Sequence, residues 1–165
     1  MSRVKTLTEV VAPAILTRAE HTSALLRDLG VPHALIGGLA VGVHGHPRAT
    51  KDVDFLVGVE AFKTTEPFLI YREELKELAR IGETDIMYIP DRFPGLAEEL
   101  RLEDDIPIIS LPGLILMKLD AFRARDQEDV RSLLQVHPSQ IRAVRDYLQR
   151  QAPELTIRLA EVLAG

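Results

Sequence analysis

The chain has 165 residues, 46% hydrophobic and 27% charged, which is the composition of an ordinary globular protein with a sizeable core. The net charge of -5 excludes the broad basic face that extensive binding to duplex DNA requires. The chain has no cysteine, which excludes disulfides and thiolate catalysis, and we expect a reducing, cytoplasmic location. We expect neither a secretory signal nor a membrane span, because charges and proline interrupt every apolar stretch.

Apolar periodicity predicts helices, and short apolar runs between glycine and proline residues predict strands. In chain order, the predicted elements are a helix over 14–29, a strand over 33–37, a helix over 39–44, a strand over 52–57, a helix over 72–80, a strand over 84–90, a helix over 94–100, a strand over 105–110, and helices over 111–135 and 139–163. The segment 59–71 fits neither pattern. This order predicts an α/β (α+β) fold in a single domain, with its core at about 14–135 and a helical C-terminal segment at 136–165.

Two aspartates lie two positions apart in the predicted strand over 52–57. Because side chains alternate along a strand, Asp52 and Asp54 would present their carboxylates on one face. Two such carboxylates repel each other, and they prefer either to share a proton or to bind a cation such as Mg²⁺ together with substrate phosphates. A solvated strand end is the alternative interpretation.

Two adjacent glycines, Gly37 and Gly38, mark the turn between the first predicted strand and a short helix. Glycine allows the backbone to approach a ligand closely, and the unpaired N–H groups at the start of a helix attract phosphate. Glycine pairs are also common in tight turns, so this pair alone does not establish a phosphate site.

The glycine pair and the later pattern Arg48-x-Thr50-x-Asp52-x-Asp54 together resemble the nucleotidyltransferase superfamily related to DNA polymerase beta. More narrowly, they resemble its small bacterial members of the abortive-infection toxin type. The stretch LPGLILMKLDAFRARDQEDVRSLL is similar to a second signature of that group, a lysine in an apolar helix followed by Arg-Asp and a further Asp. The matching positions are Lys118, Arg125, Asp126 and Asp129.

The resemblance implies a small mixed sheet flanked by helices and an enzyme that transfers a nucleoside monophosphate from an NTP to RNA, a protein or a small molecule. Asp52 and Asp54 would hold two Mg²⁺ ions with a third carboxylate from a later strand, which is Asp85 or, as the substitute, Glu83. Asp85 would also accept the acceptor's proton, although it could simply begin a strand. The residues expected to bind the triphosphate are Gly37, Gly38, Arg48 and Lys118.

The charges of the second signature have two interpretations. In a single helix over 114–134, Lys118, Arg125 and Asp129 would share one sector with apolar side chains, so they would need partners or a cleft. For Lys118 we favour phosphate binding. For Arg125, Asp126 and Asp129, an internal ion-pair net that joins helices is the alternative.

Other polar residues near the motif have less specific interpretations. Thr50 would orient the turn or bond a carboxylate, and its role could be purely structural. We expect Lys51 to be solvated. His44 and His46 are too few for a zinc site, which needs three or four protein ligands, so we interpret them as loop residues.

Two other functions use the same residues. The first is a catalytically weak binding module that acts through a partner such as an antitoxin or a sibling subunit. The retained aspartate pair argues against this module, and the lack of a clear acceptor-binding domain argues for it. The second is metal-dependent phosphoester hydrolysis, in which water replaces the acceptor. A toxin role within a toxin–antitoxin pair is compatible with nucleotidyl transfer.

Overall fold

The structure, a computed structural model, describes residues 2–65, 68–81 and 84–165. It has the mixed α/β fold that the sequence predicts. The α-helices are α1 (Pro13–Asp28), α2 (Gly37–Val43), α3 (Glu73–Ile81), α4 (Leu111–Ala121), α5 (Ala124–Val136), α6 (Ile141–Gln151) and α7 (Thr156–Ala164). The strands are β1 (His33–Ile36), β2 (Val53–Val57), β3 (Phe62–Thr65), β4 (Phe68–Tyr71) and β5 (Thr84–Tyr88). Short 3₁₀ helices cover Arg3–Leu7, Val59–Ala61, Pro94–Glu99, Pro138–Gln140 and Pro153–Leu155.

A small mixed sheet with the strand order β1-β2-β5 forms the centre of the molecule. β1 is antiparallel to β2, and β5 is parallel to β2. In the segment 59–71, which the sequence left unassigned, the described residues form a 3₁₀ turn and the strands β3 and β4, which pair antiparallel in a separate sheet. This topology puts β2 in the middle of the sheet, so its side chains meet neighbours on both sides.

Helices cover both faces of the sheet because β2 alternates its side chains between them. Phe55 and Val57 are buried in a cluster that includes residues of α1. Leu56 points the other way, into a cluster built largely from α4, α5, α6 and α7. Asp54 has the same parity as Leu56 and therefore lies on the side of the C-terminal helices.

Two long predicted helices are each broken in two. The prediction over 111–135 is wrong at Phe122, which has the left-handed φ of 53° and separates α4 from α5. The prediction over 139–163 is wrong at Pro153, which begins a short 3₁₀ helix between α6 and α7. Proline lacks an N–H group and disfavours helical backbone in the preceding residue, so this second break has a local cause.

Two other predicted elements also differ in the structure. Residues 105–110 do not form a strand, since only one isolated bridge pairs Leu35 with Ile108. Pro107 lies in the middle of this stretch and cannot donate to a ladder. The predicted helix over 94–100 is the 3₁₀ helix Pro94–Glu99. None of the helices in the described ranges combines the length and apolarity needed to cross a bilayer.

Candidate active site

The register of the sheet places two of the predicted catalytic aspartates side by side. Asp54 of β2 is the direct partner of Asp85 of β5, and Ile36 of β1 lies on the other side of Asp54. Asp52 is exposed and lies just before β2 begins. Asp54 therefore has carboxylate neighbours both along the chain and across the sheet. Glu83, the substitute candidate for the third carboxylate, lies outside the described residues.

The glycine turn packs directly against these groups. Gly37 has a φ of +67°, and a Cβ atom there would overlap Oδ2 of Asp54 and lie 2.9 Å from its Cγ. A Cβ atom on Gly38 would lie 3.0 Å from Oγ1 of Thr50 and 3.3 Å from Nη1 of Arg48. Glycine is therefore required at position 37, whereas a side chain at position 38 would force Thr50 or Arg48 to shift slightly.

The pKa of Asp54 is raised to about 7. Burial is the largest cause, followed by the charge of Asp85, a hydrogen bond with Asp85 and the charge of Asp52, while Lys118 acts in the opposite direction. Burial and like charges both disfavour ionisation, so Asp54 holds a proton far more readily than an ordinary aspartate. A cation bound between these carboxylates would reverse that preference.

A cavity of about 390 Å³ opens over the carboxylates. Its lining is formed by the acidic edge of the sheet (Asp52, Asp54 and Asp85), the glycine turn (Gly37 and Gly38), apolar side chains of β5 and α4, and basic residues around the α4–α5 break. The lining residues are Ile36, Gly37, Gly38, Arg48, Thr50, Asp52, Asp54, Asp85, Met87, Leu114, Met117, Lys118, Ala121, Arg123, Arg125 and Asp126. All predicted site residues except Asp129 therefore belong to one cavity.

An ion-pair network lies at the α4–α5 break. It comprises Arg48, Lys118, Arg123, Asp126 and Asp129. Arg48 donates from Nε and Nη2 to the two carboxylate oxygens of Asp129, both at 2.9 Å. Lys118 Nζ lies 2.9 Å from Asp129 Oδ2 and 3.1 Å from Asp126 Oδ1. Arg123 donates from Nε to Asp126 Oδ2 at 2.7 Å. The network joins the loop before β2 to both helices.

Both carboxylates of the ion-pair network are stabilised in their charged form. Burial would raise the pKa of Asp129, but hydrogen bonds from Arg48 and Lys118 outweigh it and lower that pKa. Burial likewise opposes the hydrogen bonds from Arg123 and Lys118 that lower the pKa of Asp126. These contacts match the alternative interpretation of Asp126 and Asp129 as an internal ion-pair net.

Other predicted residues have simpler surroundings. Thr50 Oγ1 accepts a hydrogen bond from the backbone N–H of Asp52 at 3.4 Å. Arg125 is exposed, lines the cavity and has no ion-pair partner among the described residues. His44 Nε2 lies 2.7 Å from the carbonyl oxygen of Ile109, which links two loops.

Six cavity residues were not singled out from the sequence, and they are Ile36, Met87, Leu114, Met117, Ala121 and Arg123. Arg123 lies three positions before Asp126, a spacing that could have indicated an ion pair at the start of a helix. Met87 and Met117 contribute apolar surface to the cavity, and Met87 is 44% exposed. No local pattern distinguishes these two methionines from ordinary core residues.

The carboxylates suit Mg²⁺ only in combination with another ligand. Among the described residues, no group of three or more His, Asp or Glu side chains is arranged as a metal site by itself. Magnesium is commonly held by one or two carboxylates, with water and substrate phosphates completing its coordination. The Asp54–Asp85 pair fits this requirement, because bound Mg²⁺ would compensate the repulsion that raises the pKa of Asp54.

The fold and the cavity define a mixed α/β protein with a carboxylate-lined site. In comparisons with known proteins, no family model and no curated protein matches the chain. The resemblance to nucleotidyltransferases therefore rests on the motifs in this sequence, and a function must be argued from the site.

Proposed function

We propose that the protein is a Mg²⁺-dependent nucleotidyltransferase that transfers a nucleoside monophosphate from an NTP to RNA, a protein or a small molecule. The observation that carries the proposal is the Asp54–Asp85 pair, whose like charges meet beside the glycine turn at the edge of a cavity. Like charges held side by side are costly, and they are typical of sites where a ligand supplies the compensating charge.

The proposed roles follow from the positions of the residues. Asp52, Asp54 and Asp85 would hold two Mg²⁺ ions, which supply Lewis acidity toward the acceptor and charge neutralisation at the leaving pyrophosphate. The acceptor oxygen or nitrogen forms a bond to the α-phosphorus as the bond to pyrophosphate breaks. Asp85, which is exposed to the cavity, would accept the acceptor's proton.

The predicted phosphate ligands form the opposite side of the proposed site. Gly37 and Gly38 would place the triphosphate near the carboxylates. Nη1 of Arg48 faces Gly38, so Arg48 can contact a phosphate while its other nitrogens hold Asp129. Lys118 is 8% exposed and lies between two carboxylates, so its contribution would be mainly electrostatic.

The test is a transfer assay with matched aspartate variants. The protein is incubated with Mg²⁺, each labelled NTP and either total RNA or total protein, and label incorporation and pyrophosphate are measured. Asp54→Asn should abolish incorporation, while Asp146→Asn, on the exposed surface of α6, should leave it unchanged. Failure of the wild type to bind any NTP in the presence of Mg²⁺ would contradict the proposal.

The same assay distinguishes the two other functions. Release of phosphate without transfer of label would support a phosphoester hydrolase. NTP binding without turnover would support the binding module, acting through an antitoxin or a sibling subunit. A toxin role and a cytoplasmic location are further parts of the proposal, and repression of growth on intracellular expression of wild type but not of Asp54→Asn would support both.

A further inference from the structure

The basic residues around the cavity differ in what they contact. Arg48, Lys118 and Arg123 all contact carboxylates of the ion-pair network. Arg125 lines the same cavity, but within the described part of the chain it contacts no carboxylate. The N–H donors of its guanidinium are therefore available to a ligand, whereas those of Lys118 and Arg123 are partly used by carboxylates.

The backbone of Arg125 is held in place although its side chain is exposed. Arg125 lies in the first turn of α5, between Arg123 and Asp126. Asp126 accepts a hydrogen bond from the backbone N–H of Arg123 at 3.1 Å and binds Lys118 at the same distance. The anchored turn limits where the Arg125 guanidinium can reach, and this lowers the entropy lost when it binds a ligand.

The charge distribution indicates an anionic ligand group at this end of the cavity. The ion-pair network has three cations against two carboxylates, so it does not neutralise Arg125. The acidic edge at Asp54 and Asp85 belongs to the same cavity. A ligand that spans both ends must offer metal-bound oxygens to one and anionic oxygens to the other, as a polyphosphate does.

We propose that Arg125 binds the phosphate oxygens of the nucleotide substrate, whereas Lys118 and the two aspartates mainly hold the helices around it. The assignment rests on the proposed function. A guanidinium can form two parallel hydrogen bonds to a phosphate, which a lysine ammonium cannot reproduce. Arg125, a site candidate without an assigned role in the sequence, thus acquires a specific one.

The test measures binding of inorganic tripolyphosphate with Mg²⁺ by titration calorimetry, because this probe carries the phosphates of every NTP and no base. Arg125→Gln should weaken binding about tenfold, the effect expected from losing one charge-assisted contact. Arg125→Lys should recover part of the loss. Arg142→Gln is the matched control, since Arg142 is also exposed but lies on α6 outside the cavity, and it should bind as wild type does.

The outcomes separate this inference from the proposed function. Equal affinity of Arg125→Gln and Arg142→Gln, with tight binding by the wild type, would overturn the role of Arg125 and leave nucleotidyl transfer intact. A wild type that binds neither tripolyphosphate nor any NTP would overturn both. Unchanged thermal unfolding of Arg125→Gln is expected, because the exposed side chain makes no hydrogen bond or ion pair with the described residues, and it would exclude misfolding as the cause.

Discussion

The acidic edge of the sheet and the ion-pair network shift the pKa values of their aspartates in opposite directions. At the acidic edge, burial and the neighbouring charge of Asp85 raise the pKa of Asp54 to about 7. In the network, Asp129 is almost inaccessible to solvent, yet hydrogen bonds from Arg48 and Lys118 lower its pKa. Burial alone therefore does not determine the protonation of these aspartates, and the partners decide it.

The two regions differ in what compensates their carboxylates. Carboxylates in the network are compensated by protein cations, so they stabilise the arrangement of helices. Carboxylates at the acidic edge are not compensated in this way, which is why we assign them to metal and substrate. Substitutions in the two regions, compared with control substitutions outside them, test this difference.

Next to the loss of activity expected for Asp54→Asn, the largest effect is expected at Asp85. Asp85→Asn removes the proposed proton acceptor and metal ligand, and transfer activity should fall by about 10³-fold. Because Asp85 is exposed, the free energy of unfolding should change by less than about 1 kcal/mol. Label incorporation and urea unfolding measure the two effects.

Asp91→Asn is the control for Asp85, since Asp91 is exposed and does not line the cavity. Full activity in both variants would show that the third carboxylate is not Asp85 and would direct attention to Glu83.

A substitution in the ion-pair network should lower the free energy of unfolding. Asp129→Asn removes the buried carboxylate that binds Arg48 and Lys118, and we expect a loss of about 3 kcal/mol in the free energy of unfolding. Glu128→Gln removes a neighbouring surface ion pair with Arg131 and should cost only about 0.5 kcal/mol. Similar losses in both variants would mean that the network is no more stabilising than a surface pair.

The pH dependence of stability provides a second test of the acidic edge. The raised pKa of Asp54 means that the folded protein binds this proton more tightly than the unfolded chain. Its contribution to stability is therefore full below about pH 4 and is lost as pH rises through about 7. Asp54→Asn cannot titrate, so its stability relative to the wild type should be greater at about pH 8 than at about pH 4.

Urea unfolding at the two pH values measures this difference. Added Mg²⁺ should raise wild-type stability at the higher pH and have little effect on Asp54→Asn, because metal that binds only the folded state stabilises it. A difference between the two proteins that does not change with pH would contradict an uncompensated Asp54.

The smallest effect is expected from two glycine variants, which separate the cost of a crowded Cβ atom from the cost of a positive φ. Gly30 and Gly37 both have positive φ, but only Gly37 has no room for a Cβ atom, because Asp54 lies against it. Gly30→Ala should cost about 1 kcal/mol and leave activity intact. Gly37→Ala should cost about 1 kcal/mol more and should reduce activity by displacing Asp54. Equal stability and activity in the two variants would show that Asp54 does not need the glycine turn.

Much of the secondary structure follows from local sequence patterns. The predicted helix over 14–29 and strand over 33–37 agree with α1 and β1 to within one residue at each end. Both segments end at glycine or proline residues, which act locally. The break at Pro153 has a local cause as well, and more weight on that proline would have predicted it.

The break at Phe122 has no such local signal, since phenylalanine rarely adopts positive φ. Arg158 of α7 stacks 4.9 Å from the Phe122 ring centroid and donates to the carbonyl oxygens of Leu119 and Asp120. These contacts satisfy the end of α4 from a distant part of the chain. A tertiary contact therefore holds the turn that brings Asp126 beside Lys118.

The sequence by itself determined the local elements and the kinds of side chain in the site, including the glycine pair and the aspartates before and within β2. Only the tertiary structure decided which charges became partners. Strand register placed Asp85 next to Asp54, and the turn between α4 and α5 placed Lys118 between two carboxylates. The physical reason is that charge compensation depends on distances between residues far apart in the chain, which local periodicity does not specify.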